Sequence, residues 1–225
     1  MRERRQHSLS ASRSVAVRRE TSVARRRAAT VTLLAGGGVC VTALHVLRPE
    51  LEPRADRISE YAIGRYGPVM TAAFLAMGLG ALVMATLVVE VGGRWSRGVG
   101  AAIGAAGVGL VMAGIWRTDP TRSGVLADSI HSRASALATV TLIGAALAWS
   151  VVRHPRPRRF DVASSLAVIA AVLGASGPAL HDSSWSGASQ RLLWLVLLAW
   201  LIVTGRGLRL RSISGTSADS PTMTT

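Results

Sequence analysis

Five stretches of this chain, each 19 to 22 residues long, contain no Asp, Glu, Lys or Arg. They cover residues 28–47, 68–89, 98–116, 134–152 and 162–180. About 20 residues of α-helix cross the ~30 Å hydrocarbon core of a bilayer, and a helix satisfies its own backbone hydrogen bonds there. The runs therefore predict transmembrane helices and exclude an ordinary soluble domain.

A sixth apolar run, residues 192–205, has only 14 uncharged residues. Arg191 and Arg206 flank it, and long arginine side chains can reach from a helix end to the headgroups. We therefore predict a sixth span over about residues 189–208. The predicted fold is an all-α membrane bundle of six transmembrane helices, residues 28–208, between a disordered basic tail, 1–27, and a disordered tail, 209–225.

The 26 basic residues, all arginine, are distributed unevenly about these spans. If the spans alternate in direction, 18 arginines lie on the side of the two termini, with five of the 12 acidic residues. Positive charge collects on the cytoplasmic side, so we predict cytoplasmic termini and a multi-pass protein of the cell membrane. The partners expected are the lipid bilayer and, at the arginine-rich residues 1–27, anionic lipids of the inner leaflet. No nucleic acid is needed to explain the net charge of +14.

The third span places glycines on one helical face, at positions 100, 104, 107 and 114. Small residues at this spacing let neighbouring helices approach closely in lipid. The pattern predicts a packing face rather than a substrate channel.

The segments predicted on the outer side carry distinctive sequence. They are Ile-Ser-Glu-Tyr-Ala-Ile-Gly at 58–64, Trp-Arg-Thr-Asp-Pro at 116–120, the stretch from Gly124 to His131, and Gly-Ala-Ser-Gln-Arg at 187–191. In this pattern the chain resembles the family of bacterial and archaeal membrane proteins called domain of unknown function 998, over about residues 28–206. The resemblance implies a six-span bundle and no assigned reaction.

Ionisable residues lie at the predicted span ends and in the loops. Ion-coupled transporters usually need carboxylates or histidines at membrane depth, so transport of a small solute is only a second alternative. The three outer loops open on one rim of a compact bundle, and we expect them to form a polar pocket that binds a lipid headgroup. The residues expected to line this pocket are Ser59, Glu60, Asp119, Asp128, His131, His181 and Arg191.

Two hypotheses assign a role to this outer cluster. In the first, the protein is not an enzyme, holds no cofactor, and uses the cluster as a hydrogen-bonded network between the loops. Ser59 would be a helix N-cap with Glu60 in the first turn, and Arg191 would pair with an outer acid. The sequence favours this hypothesis and leaves catalysis undecided.

In the second hypothesis, the protein is a metal-assisted hydrolase or transferase acting on a lipid of the outer leaflet. Carboxylates and imidazoles bind divalent metals such as zinc, and a metal-bound water attacks esters. The catalytic candidates are Glu60, Asp119 and His131, and the metal-ligand candidates are His131, His181 and Asp119. Asp128 precedes His131 by three residues, so on a helix it could orient the imidazole.

Overall fold

The computed structural model describes residues 2–91, 95–117, 126–153, 161–180 and 183–208. Every regular element in these ranges is helical, which confirms the predicted all-α class. The elements are α1 (Arg2–Leu47), η1 (Ile58–Ala62, a 3₁₀ helix), α2 (Gly67–Val91), α3 (Ser96–Ile115), α4 (Leu126–Arg153), α5 (Val162–Leu180) and α6 (Ser186–Gly207). Each predicted span falls on one of the six α-helices.

Five of the helices in the described part of the chain are long and apolar enough to cross a bilayer. They are α1, α2, α3, α4 and α6. Helix α5 has 19 residues, and its apolar stretch Val162–Gly177 is shorter than a typical span. The predicted count of six transmembrane spans therefore depends on α5, which packs against α4 and α6 in the same bundle.

Helix α1 has 46 residues and begins well before the first predicted span. The composition of residues 1–27 predicts a disordered tail, whereas the structure has helix from Arg2 onward. The physical reason is that residues 1–35 contain neither Gly nor Pro and are rich in the helix formers Arg and Ala. Arg19 and Arg26 also reach Glu90 at the end of α2, with N···O distances of 3.6 and 2.5 Å.

The α-helices form a ring in which each packs against the next in the chain and α6 returns to α1. Close approach between α2 and α3 depends on glycine. A Cβ atom on Gly78 or on Gly107 would lie 2.9 Å from the other's carbonyl oxygen, and one on Gly114 would lie 2.8 Å from Cβ of Phe74. The packing face predicted on α3 is thus confirmed, with α2 as its partner.

Alternating helix directions place the connections α1–α2, α3–α4 and α5–α6 at one end of the bundle, which we call the loop end. The first of them, residues 48–66, includes η1. Helix α4 begins at Leu126 rather than at residue 134, so Asp128 and His131 belong to a helix and not to a loop. Asp128 lies in the first turn, where a carboxylate is favoured by the helix dipole.

Candidate functional site

A cavity of about 860 Å³ lies inside the ring of helices, towards the loop end. Its wall is built from the loop-end halves of α1, α4, α5 and α6, from one face of α2, from Leu110 of α3 and from the start of η1. Cavities of roughly 300–1,000 Å³ are the usual size for small-ligand sites. The cavity is therefore large enough for a ligand.

Along α4 the wall of the cavity changes from polar to apolar. It runs from His131 through Ser135 and Thr139 to Ile143. Residues four apart lie on the same face of a helix, so these side chains form one stripe. The polar end of the stripe is nearest the loop end of the bundle.

The α1 and α6 walls show the same gradient. Near the loop end, α1 contributes His45 and Thr42, and deeper it contributes Val39 and Ala35. Helix α6 contributes Ser186, Ser189, Gln190 and Arg191 first, and then Leu193, Trp194, Leu195 and Leu198. In all three helices the polar residues of the wall therefore lie nearest the loop end.

The polar end of the cavity is basic and rich in hydroxyl groups. Two arginines, Arg57 and Arg191, and two histidines, His45 and His131, line it. None of the described residues that form the wall is acidic. Such a wall suits an anionic or strongly hydrogen-bonding group of a ligand.

His131 is 4 % exposed and is fixed by backbone groups of α3. Its Nδ1 lies 2.9 Å from the carbonyl oxygens of Ala113 and Trp116. Both oxygens are acceptors, so Nδ1 carries a proton, and in the neutral ring Nε2 then has the lone pair. That Nε2 lies 3.4 Å from Oγ of Ser135, and the ring meets Phe74 edge-on at 5.7 Å between centroids. Backbone carbonyls take the orienting role that the sequence predicts for Asp128.

Arg191 joins α6 to α1 and to the α1–α2 connection. Its Nε donates to Nε2 of His45 at 3.0 Å, and its Nη1 donates to the carbonyl oxygens of Pro53, at 2.8 Å, and Asp56. The guanidinium carbon lies 5.4 Å from the centre of the Tyr61 ring. The sequence predicts an ion pair with an outer acid, whereas these hydrogen bonds go to backbone carbonyls and an imidazole, because residues 53–56 turn their carbonyl groups towards α6.

The first turns of α6 hold the same connection at further points. Oγ of Ser186 donates to the carbonyl oxygen of Ala55 at 2.7 Å, and Oε1 of Gln190 accepts from the backbone N–H of Ile58 at 2.8 Å. Two of the distinctive sequence segments, distant along the chain, therefore meet at the loop end. Their contacts are those of a structural clamp beside the cavity.

Ser59 and Glu60 both lie in η1, and its N-cap and first turn test the roles predicted for them. Its N-cap is Arg57, so the prediction that Ser59 caps a helix is wrong, and Ser59 instead lines the cavity. Glu60 lies in the first turn as predicted, and its Oε1 accepts the backbone N–H of Arg57 at 3.2 Å. A carboxylate three residues after the cap reaches back to the cap amide, which removes Glu60 from the cavity wall.

Of the other residues predicted as ligands, Asp119 and His181 lie outside the described ranges. Asp128 lies near His131 in the loop-end part of α4. In the ranges that the structure describes, no three His, Cys, Asp or Glu side chains are grouped closely enough to hold a metal. The metal set of Asp119, His131 and His181 stays a prediction.

Several cavity residues were missed by the sequence analysis. Ser135 and Thr139 are uncharged and merge into an apolar run, Gln190 is neutral, and Arg57 lies in a charged loop where no single arginine stands out. The signal that could have found the first two is their spacing of four from His131. That spacing becomes visible only when α4 is extended back to Leu126.

A family model described as "Protein of unknown function (DUF998)" matches residues 34–207. The match covers the whole bundle except the N-terminal part of α1. No match was found among curated proteins or among solved structures.

Proposed function

Since the chain belongs to the DUF998 family of multi-pass membrane proteins, whose function is unknown, we propose a function from its cavity: the protein binds a membrane lipid with an anionic headgroup. The observation that supports this most is the polarity of the cavity. Its wall is basic and hydroxyl-rich at one end and apolar at the other, which matches the two parts of an amphipathic molecule.

Specificity in such a site would come from the headgroup. An acyl chain that leaves the bilayer for an apolar cavity gains little, because lipid tails are already an apolar environment. Charge-assisted hydrogen bonds from arginine to a phosphate are stronger and directional. Arg57 and the hydroxyl groups of the wall would therefore select the headgroup, while the apolar part of the wall would accept the chain.

The arginine distribution supports an outer-leaflet position for this site. The excess of arginine on the side of the termini favours cytoplasmic termini and a loop end on the outer side. The N-terminal part of α1 would then lie in the cytoplasm, where its exposed Arg18 and Arg25 meet anionic lipids of the inner leaflet. Transport of a small solute and metal-assisted hydrolysis stay predictions of the sequence.

Retention of lipid by the purified full-length protein tests the proposal. Native mass spectrometry would compare phosphatidylglycerol with phosphatidylcholine added to the detergent-solubilised protein. We expect the anionic lipid to bind at one copy per chain and the zwitterionic lipid to bind more weakly. Equal binding of the two, or many copies without saturation, would contradict the proposal.

Two glycine variants separate the cavity from the lipid-facing surface. Gly174 lines the cavity, and a Cβ on it would touch only the terminal part of the Ile143 side chain. Gly144 is outside the wall, and a Cβ on it would meet nothing within 4 Å. Gly174→Leu should weaken lipid binding roughly tenfold or more, since overfilling a packed site costs about 1–3 kcal/mol. Gly144→Leu should leave it unchanged.

A further inference from the structure

The hydroxyl of Ser135 differs from the three hydroxyls that follow it in α4. Thr139, Thr141 and Ser150 each donate to the backbone carbonyl four residues earlier, at 2.9, 2.6 and 2.9 Å. This is the usual bond of Ser and Thr inside a helix. Oγ of Ser135 instead faces the imidazole of the residue four positions earlier, His131, at 3.4 Å.

The imidazole that Ser135 meets is arranged as a base. Nδ1 of His131 is held by two carbonyl oxygens of α3, which leaves Nε2 as the acceptor. Both side chains line the cavity. A hydroxyl beside an imidazole that is oriented by a third group is the arrangement of an activated nucleophile. The 3.4 Å separation is somewhat long, as is common before a substrate is bound.

The position of Ser135 in the cavity fits one bond of a lipid. In glycerolipids the ester carbonyls lie between the headgroup and the acyl chains. Along α4, Ser135 lies between His131 near the loop end and the apolar Ile143 deeper in the wall. A lipid placed with its headgroup at the polar end would bring an ester carbonyl to the level of Ser135.

We infer that Ser135 is the nucleophile, and His131 the general base, of an acyl-transfer site that acts on an ester-bonded lipid held in the cavity. The inference rests on the proposed function for its substrate and goes beyond it by adding a reaction. It needs no metal, unlike the hydrolase that the sequence suggests.

The reaction has two balanced steps. Oγ of Ser135 attacks the ester carbonyl carbon, and its proton passes to Nε2 of His131. The ester C–O bond breaks, the lipid alcohol leaves with the proton from Nε2, and the acyl group stays on Ser135. Water, or a second alcohol, then attacks this acyl ester and gives a proton to Nε2. The acid or the new ester is released, and Ser135 regains its proton.

Labelling with a long-chain alkyl fluorophosphonate tests this assignment on the full-length protein in detergent micelles. The expected result is one phosphonyl adduct per chain, located on Ser135 by peptide mass spectrometry. Ser135→Ala should abolish labelling, and Ser150→Ala, at a serine of the same helix that lies outside the wall and donates to the carbonyl oxygen of Ala146, should label at the wild-type rate. His131→Gln should slow labelling by about 100-fold or more, the usual contribution of a general base.

His131 also links α3 to α4, so the folding of His131→Gln is checked by gel filtration and thermal unfolding. If that variant does not fold, His131→Asn takes its place, because an asparagine amide can occupy the position of Nδ1 while the base at Nε2 is removed, and we expect the same slowing of the labelling.

Two results would overturn the inference: no adduct on Ser135, or an unchanged labelling rate in a folded His131 variant. Lipid retention measured on the same samples separates the two proposals. Protein that binds phosphatidylglycerol but resists the probe retains the binding function without the reaction. Protein that labels on Ser135 but retains no lipid has the reactive serine without the proposed ligand.

Discussion

Nε of Arg191 donates a hydrogen bond to Nε2 of His45 across 3.0 Å, although the two residues are 146 positions apart in the chain. His45 in turn has Nδ1 at 2.8 Å from the carbonyl oxygen of Val41, so it donates with one ring nitrogen and accepts with the other. This pair closes the ring of helices between α1 and α6 at the loop end. The same guanidinium donates to carbonyl oxygens of the α1–α2 connection. One side chain therefore holds α1, α6 and this connection together at the loop end of the cavity.

Replacement of Arg191 by Gln should therefore destabilise the loop end. Hydrogen bonds made by charged groups contribute about 1.5–3 kcal/mol each, and not all would be lost independently, so we expect a decrease of roughly 2–4 kcal/mol in the free energy of unfolding. Denaturant unfolding in detergent micelles measures it.

Arg54→Gln is the matched control for Arg191→Gln. Arg54 lies in the same connection, and its side chain is 51 % exposed. It pairs with Glu52 at 3.3 Å and lies over the Trp185 ring at 5.4 Å. An exposed ion pair and an exposed cation–π contact each contribute about 1 kcal/mol or less. Equal losses in the two variants would show that Arg191 does not clamp the loop.

The packing of α2 against α3 should be destabilised when a side chain is added at Gly107. The Cβ position lies 2.9 Å from the carbonyl oxygen of Gly78, and backbone cannot yield as a flexible side chain can. Gly107→Leu should lower the free energy of unfolding by at least about 1–3 kcal/mol, measured by denaturant unfolding in detergent micelles. Gly98→Leu, on the same helix with nothing within 4 Å of its Cβ position, should be neutral or slightly stabilising. A neutral Gly107→Leu would refute the packing face.

Glu50 lies in the α1–α2 connection, outside the spans, and its ion pair with Arg48 should make a small contribution to stability that depends on pH. The hydrogen bond from Arg48, helped by a backbone hydrogen bond, lowers the pKa of the Glu50 carboxyl below its ordinary value. A pKa that is lowered by folding gives stability that is present above the unfolded pKa and is lost as the pH falls through the folded pKa. Because Glu50 is exposed, this contribution is small.

The measurement for Glu50 is an NMR titration of its side-chain carboxyl carbon. Arg48→Gln should raise the pKa of Glu50 towards the ordinary glutamate value. Arg65→Gln, which removes an arginine that stacks on Tyr66 at 5.6 Å, should leave it as it is. A Glu50 pKa that does not respond to Arg48→Gln would mean that the ion pair does not persist in solution.

The membrane helices were predictable because a bilayer imposes a length and excludes charge. The second span was expected at residues 68–89, and α2 extends over Gly67–Val91. The same criterion failed for α4, because Asp128, His131 and Arg133 interrupt the apolar run while the helix continues through them. Charge marks where a helix meets the headgroups and not where its backbone hydrogen bonds begin.

The cavity was not predictable, because it depends on which faces of separate helices converge. Charged and titratable groups near the span ends stand out in the sequence, and of these His131 and Arg191 do reach the cavity wall. Ser135 does not stand out, because its contact with His131 exists only when both residues lie in one helix. Glu60 looked equally eligible, yet a local bond to the Arg57 amide occupies it.

A lipid in the cavity should lie with its acyl chain towards the apolar end. The most direct measurement is photolabelling with phosphatidylglycerol that carries a diazirine at the end of one acyl chain, followed by peptide mapping. We predict crosslinks on the inner wall at Leu173 and Leu198, reduced in Gly174→Leu. Crosslinks confined to exposed residues outside the wall, such as Leu79, Val108 and Val151, would contradict the account.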